Sequence, residues 1–151
     1  MGFTQFNLSP QLFKAITDLG YAEPTPVQAQ AIPEALKGRD LRACAQTGTG
    51  KTLAFVIPII EGLLRRPSQH KPSALVLTPT RELAAQIISV THDLAKHARV
   101  RTALILGGAN FNSQVRELRA GADIVVATPG RLIDHLEQKT LSLRYVDTLV
   151  L

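Results

Sequence analysis

The most informative stretch of the chain reads Ala43-Cys44-Ala45-Gln46-Thr47-Gly48-Thr49-Gly50-Lys51-Thr52-Leu53. Residues 40–45, before the glycines, are mostly apolar and predict a short β-strand. Residues 53–57, after the glycines, read Leu-Ala-Phe-Val-Ile and predict a helix that continues from the loop. A strand, a glycine-rich loop and a helix in this order are the setting that a phosphate-binding loop requires.

The residue types of this loop suit an anion. Glycine allows a tight turn and a close approach of backbone N–H groups, and the helix N-terminus adds partial positive charge. Lys51 would reach the β- and γ-phosphates of a nucleotide, and the Thr52 hydroxyl would ligate Mg²⁺, which makes these two the candidate catalytic residues. The alternative is a glycine-rich turn that binds nothing. The predicted phosphate-binding residues are Gln46, Thr47, Gly48, Thr49, Gly50, Lys51 and Thr52.

Length and composition indicate one α/β domain with ordinary polarity. The chain has 151 residues, of which 45% are apolar and 19% charged. Its net charge of +5 permits a polyanionic partner without requiring one. The single cysteine, Cys44, is predicted to pack in the strand as a small apolar residue. With no apolar run of membrane-spanning length and no signal-peptide pattern at the N-terminus, a cytoplasmic location and no membrane partner are expected.

Strands and helices alternate along the chain. Ser9-Pro10 and Thr25-Pro26 each begin a predicted helix, and Gly20 and Gly38 end them. Apolar strands separated by helices indicate a parallel sheet covered on both faces. We predict strands at 41–45, 74–78, 101–106, 124–127 and 145–151, and further helices from 51 and at 81–96, 113–118 and 131–138.

A polar cluster follows each of the first four predicted strands. Ligands bind beyond the carboxyl ends of the strands in such sheets, so the four clusters are expected on one rim. The arginines and glycines in these clusters suit a phosphate backbone. Ordinary helix capping, with Thr80 and Thr128 as N-cap residues, is the alternative for any single cluster. The clusters occupy residues 46–52, 79–82, 107–108 and 128–131.

These motifs together resemble the DEAD-box RNA helicases of helicase superfamily 2. Gly20-Tyr21-Ala22-Glu23-Pro24-Thr25-Pro26-Val27-Gln28, with Phe6 upstream, resembles the Q motif. Residues 45–52 resemble motif I, in which the family carries alanine at the position of Ala45. Residues 79–84, 107–108 and 128–131 resemble motif Ia, the glycine doublet and motif Ib. The resemblance implies an incomplete α/β RecA-like P-loop fold, with a helical region at 1–38 and the P-loop part at 39–151.

The resemblance also implies roles for single residues. Gln28 would read adenine, because a side-chain amide donates and accepts at once. Phe6 would stack on the base, and Tyr21 of the same motif joins the predicted ATP- or ADP-binding set. An exposed helix position for Gln28 and a core position for Phe6 are the alternatives. Single-stranded or duplex RNA would be held by its backbone at Pro79, Thr80, Arg81, Gly108, Thr128, Gly130 and Arg131.

The family's Asp-Glu-Ala-Asp motif and its motif III strand are not found in the sequence. The chain alone is therefore expected to bind adenine nucleotide, to hydrolyse it poorly and to unwind nothing. The strand that is missing would lie between 41–45 and 145–151, so we expect a gap, an altered strand order or strand-exchanged oligomers. A catalytically inert, truncated or engineered P-loop module that binds nucleotide and forms strand-exchanged oligomers is one alternative function, and a superfamily 2 DNA helicase or translocase is another.

Overall fold

The computed structural model describes residues 2–151, which form a short 3₁₀ helix, six α-helices and four β-strands. The 3₁₀ helix spans Gly2–Phe6. The helices are α1 Pro10–Asp18, α2 Pro26–Leu36, α3 Lys51–Leu64, α4 Arg81–Leu94, α5 Phe111–Ala120 and α6 Pro129–Glu137. The strands are β1 Ala74–Leu77, β2 Thr102–Ile105, β3 Ile124–Ala127 and β4 Thr148–Val150.

The chain divides into two compact units. The helical unit runs as far as Arg66 and includes Val90–Arg99, whereas the sheet unit comprises Pro67–Ser89 and Val100–Leu151. In the helical unit α2 packs along α3, and α1 also contacts α3. Its apolar interior is fully buried at Leu12, Ile16, Ile32, Ile57 and Ile60.

The N-terminus of α2 is closed by a reciprocal pair of hydrogen bonds, as its Thr25-Pro26 start predicts. The Thr25 hydroxyl accepts from the backbone N–H of Gln28, and the Gln28 side chain accepts from the backbone N–H of Thr25. This capping box satisfies two donors that a helix start would otherwise leave open. Helix α3 runs without interruption through Pro58.

A buried carboxylate joins α1 to α3. Glu61 is 1% exposed and accepts hydrogen bonds from the Ser9 backbone N–H, from the Ser9 hydroxyl and from Arg65 Nε. Ser9 occupies the predicted N-cap position, but its hydroxyl donates to Glu61 and makes no capping bond to α1. A carboxylate at this depth is tolerated because three donors replace its water.

The sheet is parallel, with strand order β2-β3-β1-β4. Register aligns Leu75 with Val125, and Ala103 with Val125, so these three side chains share one face. That face packs on Leu132 of α6 and Leu141 in one apolar cluster. On the opposite face, Val76 and Val126 are also buried. Burial on both faces explains why the strands read as continuous apolar runs.

The predicted strand at 41–45 does not form. Residues 41–46 carry no regular secondary structure, and Leu41, Arg42, Ala43 and Cys44 are exposed. A strand needs a partner for its backbone groups, and the four-stranded sheet ends at β4 without pairing to this segment. The four strands that do form are paired in regular parallel order, and the expected gap and altered strand order stay predictions. Strand exchange between chains stays a prediction.

Two further expectations about the strands are also wrong. Cys44 was predicted to be buried in the strand, yet it is exposed because its segment joins no sheet. The last strand was predicted over 145–151, but β4 covers Thr148–Val150 and pairs with β1 alone. Leu149 and Leu151 remain exposed beside this open edge.

Hydrogen exchange provides a test of the unpaired segment. We expect the backbone amides of residues 41–45 to exchange at rates close to those of an unstructured peptide, because no ladder hydrogen bond protects them. The amides of Val125 and Val126, in the central strand β3, should be protected instead. Exchange followed by mass spectrometry or NMR measures both. Protection at 41–45 equal to that in β3 would contradict the absence of a strand at these residues.

Replacing the buried carboxylate tests the link between α1 and α3. Glu61→Gln keeps the shape but turns one acceptor oxygen into a donor that faces Ser9 or Arg65. We expect the free energy of unfolding to fall by about 1–3 kcal/mol, measured by denaturant titration. The exposed Glu137→Gln makes the same chemical change and should stay within about 0.5 kcal/mol. Equal effects of the two substitutions would show that the Glu61 bonds add no stability.

Candidate functional site

The glycine-rich loop has the backbone that an anion site requires. Gly48 (φ 82°) and Gly50 (φ 86°) both adopt the left-handed region, which a side chain would disfavour. Gly50 is the N-cap of α3, so the first N–H groups of the helix face the loop. Gln46, Thr47 and Gly48 are exposed. The loop is thus open to a ligand at a helix N-terminus.

Two side-chain hydrogen bonds hold the loop in its present shape. Lys51 Nζ donates to the carbonyl oxygen of Ala45 at 2.6 Å, and the Thr49 hydroxyl donates to the carbonyl oxygen of Gln46 at 2.6 Å. The ammonium of Lys51 is nevertheless exposed to solvent. A phosphate could replace the Ala45 carbonyl as its partner, because an anion is the stronger acceptor for an ammonium.

Gln28 connects the start of α2 to this loop. Its side chain is 3% exposed, so the alternative of an exposed helix position is wrong. Its Nε2 donates to the carbonyl oxygen of Gly50 at 3.1 Å, while its Oε1 accepts from Thr25. A Cβ atom on Gly50 would collide with Gln28 Nε2, so a side chain there would displace the Gln28 amide and would also be strained by the positive φ. An amide carries two N–H groups, which leaves one for a ligand.

The other residues of the predicted adenine site differ in accessibility. Phe6 is 6% exposed and makes an edge-to-face contact with Phe3, with ring centroids 5.9 Å apart. This is the core position that the alternative described, and stacking of Phe6 on a base stays a prediction. Tyr21 is 43% exposed. Thr52 lies in the first turn of α3 and is partly exposed.

The loop fits a nucleotide phosphate better than it fits a metal ion on its own. Left-handed glycines, a helix N-terminus and a lysine provide donors for phosphate oxygens. For Mg²⁺ the loop offers the hydroxyl of Thr52. Within residues 2–151 no group of three or more His, Cys, Asp or Glu side chains could hold a metal ion. Mg²⁺ usually takes few protein ligands and depends on substrate phosphates and waters, and Thr52 is compatible with that mode.

A second candidate surface lies in the sheet unit. β1, β2 and β3 are parallel neighbours, so the segments that follow them meet at one edge. These segments carry the predicted RNA-binding residues Pro79, Thr80, Arg81, Gly108, Thr128, Gly130 and Arg131. Of these, Thr128 and Arg131 are partly exposed and the others are exposed. The three clusters of this unit are therefore brought together as predicted.

The contacts at this edge are specific. Gly108 has φ 80°, and a Cβ atom there would lie 3.1 Å from Arg81 Nη1, so the guanidinium crosses close over this glycine. Thr80 caps α4, because its hydroxyl accepts from the backbone N–H of Leu83. Thr128 stands at the N-cap of α6 without a capping bond, and its hydroxyl accepts from the backbone N–H of Gly107 at 3.4 Å. Thr128 therefore joins two loops instead of capping its own helix.

Arg131 is hydrogen-bonded to residues that the sequence analysis did not single out. Its Nη1 donates to the carbonyl oxygen of Ala109 at 2.9 Å and to Gln114 Oε1 at 3.1 Å. His135 Nε2 contacts the same Gln114 oxygen at 2.8 Å. The available signal was weak: His135 follows Arg131 by four residues, which places both on one side of a helix. The polar sequence of α5 did not reveal that Gln114 is buried.

The hydrogen bonds assign a tautomer to His135. Gln114 Nε2 donates to the carbonyl oxygen of Leu106, so Oε1 can only accept, and His135 Nε2 must carry a proton. Burial lowers the pKa of His135 below its ordinary value, and the nearby charge of Arg131 lowers it further, against a weaker opposing effect of Asp134. Neutral His135 therefore presents an unprotonated Nδ1 to the Thr140 hydroxyl, 2.7 Å away, and the single proton of that hydroxyl is shared between Nδ1 and the His135 carbonyl oxygen, 3.1 Å away.

A left-handed glycine loop that begins a helix, and a parallel sheet whose strands are followed by arginine- and glycine-rich segments, are features of a helicase domain. A DEAD/DEAH box helicase domain matches residues 25–151. The chain belongs to the DEAD/DEAH box helicase family.

Several characterised relatives align along nearly all of the chain. The probable ATP-dependent RNA helicase DDX27 of Homo sapiens is 48% identical over 153 residues, covering 100% of this chain and 20% of that protein. The ATP-dependent RNA helicase DeaD of Escherichia coli K12 is 46% identical over 150 residues, covering 99% of this chain and 24% of that protein. The chain thus spans about a fifth to a quarter of the length of these relatives. None of the helices at residues 2–151 is long and apolar enough to cross a membrane.

The lowered pKa of His135 predicts a pH-dependent stability. Below about pH 6.5 the unfolded chain takes up a proton at this position that the folded chain resists, so the free energy of unfolding falls as the pH decreases. We expect the His135→Gln variant to lack the part of this pH dependence that comes from His135. The stability difference, wild type minus variant, should be constant above about pH 7 and shrink from there towards pH 5.

Denaturant titrations of both proteins between about pH 8 and 5 measure that difference. The Asp18–His97 ion pair, in which the hydrogen bond from His97 lowers the pKa of Asp18, is common to both proteins and cancels. A difference that grows as the pH falls would mean that folding raises the pKa of His135.

Proposed function

We propose that this chain is a nucleotide- and RNA-binding lobe of an ATP-dependent RNA helicase. The observation that carries the proposal is the link between Gln28 and the phosphate loop through the carbonyl of Gly50. An adenine reader and a phosphate site must lie a fixed distance apart to bind one nucleotide. A buried amide hydrogen-bonded to the loop supports such an arrangement within the helical unit.

In the proposed complex the loop residues 46–52 bind the phosphates of ATP or ADP. Lys51 exchanges its Ala45 partner for β- and γ-phosphate oxygens, and the N–H groups at the start of α3 donate to the same anion. Thr52 contributes its hydroxyl to Mg²⁺, whose remaining ligands are phosphate oxygens and waters. Bound Mg²⁺ neutralises phosphate charge and so favours transfer to water.

Base selection is assigned to Gln28. Its second Nε2 hydrogen can donate to adenine N7, and a lone pair of Oε1 can accept from adenine N6. Guanine presents an acceptor where adenine presents that donor, so the same amide disfavours it. Tyr21 and Phe6 complete the proposed base site, and Phe6 would have to turn a ring face from the core towards the base.

RNA is proposed to bind along the edge formed by the segments after β1, β2 and β3. Arg81 and Arg131 place guanidinium groups there, and Gly108 and Gly130 offer backbone without side chains. Such contacts recognise a sugar-phosphate backbone and read no base sequence. The two relatives named above are called RNA helicases, which supports RNA over DNA as the nucleic acid.

ATP hydrolysis and unwinding are proposed for the whole protein to which such a lobe belongs. For the 151-residue chain alone we propose binding without turnover. A P-loop module that holds nucleotide and pairs with a second copy is the competing function. The unpaired segment 41–45 and the open edge of β4 favour that alternative, and sedimentation of the chain would reveal such a dimer.

Calorimetric titration with Mg·ADP and Mg·GDP tests the nucleotide site. We expect ADP to bind and GDP not to bind. Lys51→Ala should weaken ADP binding by at least about tenfold, because it removes the ammonium that faces the phosphates. Gln28→Ala should reduce both the affinity for ADP and the preference over GDP.

Thr25→Ala is the matched control for Gln28→Ala. It removes the other half of the capping box, at a cost of about 1 kcal/mol in helix stability, but leaves the amide of Gln28 in place. ADP binding should survive in this control. Equal losses in the two variants would assign the effect to the helix start. Equal binding of ADP and GDP by the unmodified chain would rule out Gln28 as the base reader.

A further inference from the structure

A buried polar network lies beneath the RNA edge of the sheet unit and centres on Gln114. This residue of α5 is 4% exposed. Its Nε2 donates to the carbonyl oxygen of Leu106, and its Oε1 accepts from both Arg131 and His135. One side chain therefore ties together the segment after β2, helix α5 and helix α6. Because the nitrogen and the oxygen of this buried amide each have a partner, these bonds favour a single orientation of the amide.

A hydrogen bond from His135 also fixes the orientation of the Gln114 amide. The ring is fully buried, and both of its nitrogens lie within hydrogen-bonding distance of a partner, Gln114 Oε1 and the Thr140 hydroxyl. Its face stacks on Phe111, with centroids 4.1 Å apart and planes 10° apart. A ring held on its edge and on its face cannot rotate without breaking these contacts. The position of Gln114 Oε1 is fixed as a result.

Arg131 is the member of the network that reaches the surface. Its side chain is 14% exposed, and its guanidinium lies 5.6 Å from the centre of the Phe111 ring. Within residues 2–151 its hydrogen bonds and its ion pair with Asp134 use Nη1 and Nε. Nη2 is therefore the nitrogen left for an incoming phosphate oxygen. An arginine fixed in this way loses little side-chain freedom when it binds.

We propose that Gln114 and His135 are positioning residues that hold the Arg131 guanidinium ready for an RNA phosphate. The inference rests on the proposed function, since it presumes that Arg131 contacts RNA. Gln114 and His135 touch no nucleic acid themselves. Their effect on RNA affinity is transmitted through Arg131, and this distinguishes positioning from a general contribution to folding.

The test is RNA affinity of the chain, measured by fluorescence anisotropy with a labelled single-stranded oligouridylate at several salt concentrations. Arg131→Ala should weaken binding about tenfold and reduce the salt slope by about 0.7, the value for one lost phosphate contact on a single strand. His135→Phe and Gln114→Met remove the network bonds but keep side chains of similar length. Each should cause much of the loss of RNA affinity that is expected for Arg131→Ala. His135→Gln keeps a donor for Gln114 and should restore the wild-type slope.

A double-mutant cycle separates positioning from folding. In the Arg131→Ala background, His135→Phe should cause no further loss of affinity, because the residue through which it acts is gone. Leu141→Ala is the control: it truncates a buried side chain of the apolar cluster in the same unit, which is not a member of the hydrogen-bonded network, and should lower thermal stability while leaving the salt slope unchanged.

The outcomes are distinguishable. Equal losses from His135→Phe in both backgrounds, or no loss in either, would overturn the positioning role while the RNA grip of Arg131 stands. No effect of Arg131→Ala itself would remove the proposed grip of Arg131, and the positioning role with it. A loss seen with His135→Phe and absent in the Arg131→Ala background would support the inference.

Discussion

Parallel pairing of four strands is the constraint on which the sheet unit depends. The register places Leu77, Ala127 and Ile105 side by side at the ends of β1, β3 and β2. The segments that follow these strands leave the sheet at the same edge. Residues that are far apart in sequence, such as Arg81 and Gly108, are therefore in contact. The segments after β1, β2 and β3 form one edge because these neighbouring strands are parallel.

Polar groups beneath that edge are tolerated because they satisfy each other. Among the described residues, no buried side-chain nitrogen or oxygen lacks a hydrogen-bond partner. Gln114 and His135 would be costly in an apolar interior if either were left alone. Together with Thr140 they form a hydrogen-bonded network, in which Gln114 Oε1 also accepts from Arg131 Nη1. In the helical unit, Glu61 accepts from one backbone N–H and two side chains, and Gln28 bonds two backbone groups.

Much of the architecture could be predicted from local pattern. The strand at Ile124–Ala127 was predicted with the observed bounds, and the helix after Thr25-Pro26 begins where its capping residues indicate. The segment at 41–45 was the main error. Its apolar residues satisfy a strand pattern, but a pattern records side chains and does not record whether a neighbouring strand is present. Cys44 was misplaced as a consequence.

The sequence by itself determined the class of the protein. The spacing of glycines, lysine and threonine at 46–52 predicts a phosphate loop, because close backbone approach to phosphate demands those residue types at those positions. The ordered motifs around it resemble the helicase family. The tertiary structure alone decided that Gln28 is buried and bonded to Gly50, that residues 41–45 form no strand, and that Arg131 and His135 share the side-chain oxygen of Gln114. Those contacts join residues 17 to 22 positions apart. Local propensity cannot encode them, since each depends on how separate elements pack.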